Sequence, residues 1–289
     1  MTSNIHHPAR SRRAPLIMGI LNVTPDSFSD GGRYFAHDNA SAKAEEMVRE
    51  GADIIDVGGE STRPGSAPVT VQDQLQRILP VIEALRRRLP GHCLLSIDTT
   101  YSEVARAALD AGANMINDIS AGRDDPALFA LAAERSVPII IMHMQGTPKT
   151  MQDDPRYESV VDEVLSFLLW RAAVAESSGI RAENIVIDPG IGFGKRRNDN
   201  LLLMAALKRF VDSGYPVLLG TSRKRFMGAV CNVTEPSELV AATTATTALG
   251  VMAGVRIFRV HDVRENRQAA DVAYAIRSVG GSVSTPASG

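Results

Sequence analysis

The 289-residue sequence has few cysteines, few aromatic residues and no strong excess of either charge. Its two cysteines, Cys93 and Cys231, are too few for a disulfide framework or a cysteine-based zinc site. No stretch approaches the roughly 18 uninterrupted apolar residues that a membrane helix requires. The formal net charge of −2 also lacks the basic excess that a nucleic-acid surface normally shows. We therefore expect a soluble, cytoplasmic protein with no membrane or nucleic-acid partner.

The two ends of the chain differ in composition from its middle. Residues 1–14 contain arginines and no acids, but they lack the apolar core of a secretory signal. Residues 280–289 consist mainly of Gly, Ser and other poor core formers. We expect disordered tails at both ends, with a transit peptide as the alternative at the start. No linker-like segment interrupts the middle, so residues 15–279 are predicted to form one domain.

Eight short apolar runs alternate with helical patterns along the chain. The runs are continuous, which is typical of parallel strands covered on both faces. Repeated alternation of strand and helix predicts an α/β fold, and a count of eight favours a single closed (β/α)8 TIM barrel. An open doubly wound sheet is the alternative, but no G-x-G-x-x-G follows the first strand. The expected helices are Ser41–Glu50, Val71–Leu89, Glu103–Ala111, Val160–Glu176, Leu201–Val211, Glu238–Met252 and Arg264–Ile276.

Nearly every apolar run leads to a polar residue. In a barrel the carboxyl ends of all strands meet on one face, so we expect these residues to share a site. They are Asn22, Glu60, Asp98, Asn117, His143, Asp188, Ser222 with Lys224, and Arg259 with His261. Two aperiodic loops, Asn22–Tyr34 and Glu60–Thr70, follow the first two strands, and their composition favours lids or substrate clamps.

The acidic residues at this face indicate a neutral heterocycle as ligand. Buried carboxylates need partners, and Asp98 and Asp188 could each accept two parallel hydrogen bonds from an N–H-rich edge. Asn117 adds one donor and one acceptor. A hard-metal site fits less well, because the acids are not interleaved with histidines at ligand spacing. For Asp56 and Asp118, a structural role is about as plausible as a binding role.

The basic residues indicate an anion site beside the heterocycle. Arg259 and His261 are two apart on a strand, so their side chains point to the same side, and Arg suits phosphate oxygens. Lys224 and Arg63 are further candidate cations. The glycines of D-P-G-I-G-F-G-K (188–195) would let a ligand approach the backbone closely, although such a string is a weak signal alone.

Several strings resemble the dihydropteroate synthase family, in family order from Met18 to His261. The most specific are M-G-I-L-N-V-T-P-D-S-F-S-D-G-G and I-I-D-V-G-G-E-S-T-R-P-G, and D-P-G-I-G-F-G-K, G-T-S-R-K and R-V-H-D follow them. The resemblance implies a TIM barrel that serves folate biosynthesis. Such an enzyme would condense 6-hydroxymethyl-7,8-dihydropterin diphosphate with p-aminobenzoate, giving 7,8-dihydropteroate and diphosphate.

The resemblance also implies roles for the pterin diphosphate site. The residues that would bind the pterin are Asp98, Asn117, Asp188 and Lys224. Arg259 would cover one face of the ring, and Arg259, His261 and Arg63 would contact the diphosphate. Asn22 would coordinate the Mg²⁺ that the diphosphate carries. The residues expected to act in catalysis are Asp98, Asp188, Lys224 and Arg259.

For the second substrate, the resemblance implies a pocket for p-aminobenzoate shaped by Thr62, Arg63, Phe193 and Ser222. Pro64 and Phe28 would join them when the loops close. It further implies a homodimer, for which the Ala-rich stretch Ala241–Met252 would permit close packing. The alternative is that this stretch packs on its own barrel.

Two other functions stay open on the sequence alone. A pterin-binding methyltransferase has a similar barrel, but it needs neither the diphosphate site nor the first loop string. A catalytically silent paralogue would bind a pterin or a protein partner without turnover. For the synthase, we expect dissociative substitution, since an aromatic amine is a weak nucleophile and the loss of diphosphate is the harder step.

Overall fold

The computed structural model describes residues 14–23, 32–60 and 69–283, with side chains described for 14–23, 38–60 and 69–280. In these ranges eight parallel strands form one sheet, in the order β6-β5-β4-β3-β2-β1-β8-β7. A parallel bridge between Ile187 and Val217 joins the two outer strands and closes the ring. The strands are Leu16–Asn22 (β1), Ile54–Gly58 (β2), Leu94–Asp98 (β3), Met115–Asp118 (β4), Ile139–Met142 (β5), Ile185–Asp188 (β6), Leu218–Leu219 (β7) and Ile257–Val260 (β8). The predicted TIM barrel is confirmed, and the open doubly wound sheet is excluded.

Ten α-helices lie in the described residues, and none of them is long and apolar enough to cross a membrane. They are Gly32–Arg49 (α1), Val71–Arg88 (α2), Ser102–Asp110 (α3), Ala127–Arg135 (α4), Val160–Ser177 (α5), Arg197–Ala205 (α6), Leu207–Val211 (α7), Arg225–Cys231 (α8), Val240–Ala253 (α9) and Val263–Val283 (α10). Short 3₁₀ turns at Ala182–Asn184 and Pro236–Leu239 precede β6 and α9.

The helices differ from the sequence pattern mainly at their ends. α1 begins at Gly32, well before the predicted start at Ser41, so the first loop is shorter than expected. The helix predicted over Leu201–Val211 is two helices separated at Ala206. The sequence pattern did not predict α4 or α8: α4 is apolar at most positions, which hides its period, and α8 is a short helix with an internal Gly228. α10 continues past the predicted domain end at residue 279.

The two-residue period of the strands separates an outer core from the inside of the barrel. Outward side chains such as Ile17, Ile55 and Ile97 pack with the surrounding helices. Inward side chains form a separate, fully buried apolar layer that fills the barrel: Leu16, Met18, Ile54, Met115, Ile140, Val186, Leu218 and Ile257. Burial stabilises the fold by about 1.5–3 kcal/mol for each such side chain, so this layer forms a stable, closely packed floor.

On four strands the next inward position above this floor is polar. These positions are Asp56, Asn117, Asp188 and Arg259, each two residues after the floor residue of its strand. Asp98 is the last residue of β3 and lies at the same end of the barrel. The same period that fills the barrel with apolar groups therefore directs these polar groups into its open, carboxyl-terminal end.

Candidate active site

The strand register brings the predicted site residues to one edge of the barrel. Asn22 is paired with Gly58, and Gly58 in turn with Asp98. Asp98 is paired with Asn117 on the next strand. On the other side, Met142 is paired with Asp188. Residues far apart in sequence thus line one opening, as expected for the ends of parallel strands.

Arg259 is the half-buried centre of a charged network. Its Nε donates to Asp56 Oδ2 at 2.7 Å, and a terminal nitrogen of its guanidinium donates to Asp98 Oδ2 at 2.7 Å. Asn117 Nδ2 donates to the same oxygen of Asp56 at 3.0 Å. The carboxylate of Asp56 therefore orients two of the predicted ligand-binding side chains, a role that the sequence could not separate from a purely structural one. Its inward position two residues after Ile54 is the signal that identifies it.

The two carboxyls predicted to bind a heterocycle are both nearly fully buried. Burial raises the pKa of Asp98 to about 7; the Arg259 guanidinium opposes the rise, and the carboxylate of Asp56 adds to it. Burial also raises the pKa of Asp188, and Lys224 opposes that rise. Asp188 Oδ1 accepts a hydrogen bond from the Gly190 N–H at 2.7 Å, which fixes the orientation of the carboxylate. Neutral or cationic donors would therefore find strong, preoriented acceptors here.

Lys224 lies between the acidic cluster and an aromatic ring. Its Nζ donates to the carbonyl of Ile191 and is 4.6 Å from the centroid of the Phe193 ring. Burial lowers the pKa of Lys224 to about 8, while the carboxylate of Asp188 opposes this effect. A Cβ placed on Gly220 would be 4.0 Å from Lys224 Nζ and 3.9 Å from Arg259 Cβ, so both side chains pass close to this glycine.

The loops after β7 and β8 are tied together at the site. Ser222 Oγ lies 2.9 Å from His261 Nδ1 and accepts from the His261 N–H at 3.1 Å. Arg223 donates two hydrogen bonds to the carboxylate of Asp262, at 3.0 and 2.5 Å. Arg223 also has a left-handed backbone, with φ of 58°. The residues on either side of it have different partners: Ser222 contacts His261, and Lys224 donates to the Ile191 carbonyl.

Two polar residues at the strand ends do not join this site. Asp118 accepts hydrogen bonds from the N–H groups of Ser120 and Gly122, at 2.7 and 2.5 Å, and so fixes its own loop. The expectation that His143 shares the site is wrong. Its ring packs edge-on against Phe167 of α5 with centroids 5.0 Å apart, and burial lowers its pKa to about 2. Both residues follow an inward position by one, so they point outward to the helices.

The second loop is anchored at both ends. Glu60 Oε1 accepts from the Val69 N–H at 3.4 Å, and its other oxygen accepts from Gln74 Nε2 at 2.9 Å. Burial raises the pKa of Glu60. Glu60 is therefore a structural residue of the loop base. Thr62, Arg63 and Pro64 of this loop, and Phe28 of the first loop, lie outside the described residues.

The described residues contain no group of three or more His, Cys, Asp or Glu side chains arranged to hold a metal ion. The amide of Asn22 offers one oxygen ligand at the rim, close to Gly58 and Asp98. A single protein ligand suits Mg²⁺ that keeps water and phosphate oxygens as its other ligands. Within the described residues, this donor set fits a cation that brings phosphate oxygens and water as its other ligands.

Comparison with known proteins shows which proteins this chain is similar to. The family model for "Pterin binding enzyme" matches residues 18–261. The dihydropteroate synthase of Escherichia coli K12 is 45% identical, over 91% of this chain and 92% of its own length. The Xanthomonas albilineans dihydropteroate synthase structure with 4-aminobenzoic acid has a TM-score of 0.85 and 43% identity, covering 94% of each chain. The same enzyme with 7,8-dihydropteroate has a TM-score of 0.82 and 39% identity, covering 96% of this chain and 97% of that one.

Proposed function

This chain belongs to the dihydropteroate synthase family of pterin binding enzymes, and we propose that the site described above is where it makes dihydropteroate for folate biosynthesis. The substrates would be 6-hydroxymethyl-7,8-dihydropterin diphosphate and p-aminobenzoate. One observation carries the assignment of the site: two buried carboxyls, Asp98 and Asp188, and two half-buried cations, Lys224 and Arg259, form one cluster above an apolar floor. A site of alternating acids and cations suits a neutral heterocycle joined to a polyanion.

In our proposal the pterin lies at the acidic side of this cluster. The carboxylate of Asp188 accepts from the amino group and ring N–H of the pterin, and Asn117 binds the same edge. Lys224 donates to the pterin from the opposite side. The guanidinium of Arg259 covers one ring face, a geometry in which Arg stacks well.

The diphosphate would leave toward the cationic side of the cluster. Arg259 and His261 contact its oxygens, together with Arg63 of the second loop. Ser222 fixes the His261 ring through the 2.9 Å contact, so the ring is held in place before substrate binds. Asn22 would hold the Mg²⁺ carried by the diphosphate, and this ion would neutralise part of the negative charge on the leaving group.

The proposed reaction is a dissociative substitution at the pterin methylene carbon. The bond from this carbon to the diphosphate oxygen breaks first, and its electron pair leaves with the diphosphate. Arg259 and His261 stabilise the charge that develops on the leaving oxygen. The anion of Asp98 favours the methylene cation delocalised over the pterin ring. The amine nitrogen of p-aminobenzoate then forms the new C–N bond and releases its proton to diphosphate or water.

The pocket for p-aminobenzoate would lie beside Phe193 and Ser222. Phe193 packs with Met142, Met144 and Met151 in a small apolar cluster, and this provides an apolar wall for an aromatic ring. Thr62 and Arg63 would complete the pocket from the second loop. Closure of the loops would exclude water, whose attack on the methylene cation is the obvious side reaction.

The test of this function is an assay of diphosphate release by the purified protein, with the pterin diphosphate and Mg²⁺, in the presence and absence of p-aminobenzoate. We expect release that depends on the amine, with dihydropteroate formed in equal amount. Release without any dependence on the amine, or pterin binding with no release, would contradict the proposal. The second outcome would identify a silent pterin binder, and methyl transfer from a methylated folate would identify the methyltransferase.

The pH dependence of the reaction follows from two shifted groups. Asp98, with its pKa raised to about 7, has to be ionised to stabilise the cation, so activity rises as the pH increases through this value. Lys224, with its pKa lowered to about 8, has to be protonated to donate, so activity falls as the pH increases further. We expect kcat/KM for the pterin diphosphate to peak between these values, because this ratio reports groups of the free enzyme.

The control for the pH profile is Lys224→Gln, which cannot titrate. Its weaker activity should lose the alkaline decline and keep the acidic one. An alkaline limb that persists unchanged in this variant would assign the decline to another group, and the role given to the Lys224 ammonium would fail.

We also propose that the protein is a homodimer formed through α9 and α10. These helices expose a set of large apolar side chains: Leu249, Met252, Val272, Ile276 and Val279. On α10 they recur at intervals of three and four residues, which makes a continuous stripe. Isologous packing of such a surface against its own copy is the most common route to a dimer.

The double substitution Leu249→Glu, Val272→Glu should therefore convert the dimer to a monomer. Light scattering after size-exclusion chromatography should show the mass fall from twice 31.0 kDa to 31.0 kDa. Trp170→Glu is the matched control, since Trp170 on α5 is also an exposed large apolar residue and lies outside the proposed interface. A monomeric wild-type protein, or a double variant that stays dimeric, would overturn the assignment of this surface.

We propose the cytoplasm as the compartment in which the enzyme works. The described residues contain two free cysteines, Cys93 buried and Cys231 exposed. An exposed thiol with no disulfide partner is most stable where the environment is reducing.

A further inference from the structure

The loop after β6 is held by its own Lys195 and by side chains from the loops after β5 and β7. Each of its five consecutive carbonyl groups, from Gly190 to Gly194, accepts a hydrogen bond from a side chain. In chain order the donors are Lys195 Nζ at 2.9 Å, Lys224 Nζ, Gln152 Nε2 at 3.0 Å, Lys195 Nζ again at 2.9 Å, and Tyr157 OH at 2.6 Å. A surface loop normally leaves such groups to water, so this backbone is unusually constrained.

The glycines of this loop allow it to lie directly on the loop after β5. Gly190, Gly192 and Gly194 all have left-handed backbones, with φ of 66°, 84° and 62°. A Cβ on Gly190 would overlap the carbonyl oxygen of His143, and a Cβ on Gly194 would overlap that of Gln145. Close contact between these two loops therefore explains Gly190 and Gly194, while a Cβ on Gly192 would lie 3.1 Å from Lys224 Cδ.

Lys195 joins these two loops. Its side chain is almost completely buried, and besides the carbonyls of Gly190 and Phe193 its Nζ contacts the carbonyl of His143 at 3.2 Å and His143 Nδ1 at 3.0 Å. None of its hydrogen-bond partners in the described part of the chain is a carboxylate. A buried amine that is satisfied only by dipoles is a costly choice for packing alone.

We propose that Lys195 is a positioning residue that fixes the Gly190–Gly194 loop so that Phe193 and Lys224 face the two substrates. This inference rests on the proposed function. Lys195 acts through the loop: the loop carries the Phe193 ring, which forms a wall of the p-aminobenzoate pocket, and the Ile191 carbonyl, which binds Lys224. His143, which packs on α5, connects the loop to the outer helices.

The test is Lys195→Met, which keeps the length of the side chain and removes its donors. We expect KM for p-aminobenzoate to rise about tenfold or more with a smaller change in kcat, because a small displacement of a pocket wall weakens orientation of the reactant. Affinity for the pterin diphosphate alone should change less, since Asp188 and Asn117 belong to the rigid strands. The matched control is Lys208→Met, which removes an exposed ammonium that pairs with Asp212 on the surface and should leave both constants unchanged.

Hydrogen exchange gives a readout that does not depend on activity. The amides of residues 190–195 should exchange faster in Lys195→Met than in the wild type or in Lys208→Met. Tyr157→Phe removes only the hydrogen bond to Gly194 and keeps the ring, so it should fold and raise KM for p-aminobenzoate about threefold. If Lys195→Met does not fold, Tyr157→Phe shows whether the hydrogen bonds to this loop affect KM for p-aminobenzoate.

Unchanged KM and unchanged exchange in the folded variants would overturn the role of Lys195. A uniform loss of stability, with no split between KM and kcat, would do the same and reduce Lys195 to a packing residue. A wild-type protein that lacks amine-dependent diphosphate release would instead refute the proposed function, while the exchange experiment would still report on the loop.

Discussion

Replacement of Arg259 by alanine is expected to reduce kcat/KM for the pterin diphosphate by about a hundredfold to a thousandfold, as for other donors that stabilise a developing anion. The side chain has two tasks in our account. It contacts the diphosphate and covers the pterin, and it neutralises the carboxylates of Asp56 and Asp98 through its 2.7 Å hydrogen bonds. Its removal therefore loses a substrate contact and leaves two buried carboxylates without their cation.

The loss of Arg259 should also change the pH profile. The guanidinium opposes the rise in the pKa of Asp98, so without it this pKa should increase beyond about 7. The acidic limb of kcat/KM should then move to higher pH in any residual activity. Steady-state assays of diphosphate release across pH would measure both effects. Arg277→Ala is a suitable control, because Arg277 donates to the Val251 carbonyl outside the site; near-normal kinetics of Arg259→Ala would refute the role of Arg259.

Asp188→Asn is expected to weaken pterin binding by about a hundredfold or more, which corresponds to about 3 kcal/mol for lost hydrogen bonds to a charged group. The Gly190 N–H already donates to one oxygen of Asp188. An asparagine would turn its only oxygen to this N–H and present its NH₂ group to the N–H donors of the pterin. The NH₂ group and the pterin N–H groups are both donors and cannot bond to each other. The isosteric change should therefore weaken pterin binding nearly as much as removal of the side chain.

The control for this substitution is Asp118→Asn. Asp118 is equally buried and also binds N–H groups of its own loop, but it points outward from the barrel. It should lower the midpoint of thermal unfolding and leave pterin affinity within about threefold, as expected for a residue outside the site. Calorimetric titration of both variants would show the difference. If the two variants lost pterin affinity equally, the distinction between inward and outward carboxylates would be wrong.

Much of the site could be predicted from sequence because the barrel converts position in a strand into position in space. Asp188 and Arg259 end apolar runs, and the two-residue period then fixes which side they face. The same rule explains why His143 was wrongly expected in the site. The end of a short strand is predicted only to within about one residue, and a shift of one residue moves a side chain to the opposite face. Asp56 lies within a run, so the strand period indicates its inward position, but only the structure shows that it accepts hydrogen bonds from Arg259 and Asn117.

The contribution of Lys195 could not be predicted, because its partners depend on contacts between distant segments. His143 precedes Lys195 by 52 residues, and no local pattern connects them. A lysine after a glycine-rich string is usually exposed, which makes the sequence signal weak. The bounds of α1, and the existence of α4 and α8, were missed for a related reason. Local propensity is a weak prior that tertiary packing overrides.

The central claim is that one side of the barrel mouth binds the heterocycle and the other side binds its phosphates. Calorimetric titration with 6-hydroxymethyl-7,8-dihydropterin and, in parallel, with its diphosphate in the presence of Mg²⁺ would separate the two. We expect Asp188→Asn to weaken binding of both ligands by similar factors, and Arg259→Ala to weaken binding of the diphosphate far more than binding of the alcohol. Equal losses for both ligands in Arg259→Ala, or unchanged binding of the alcohol in Asp188→Asn, would show that the two sides do not divide the substrate in this way.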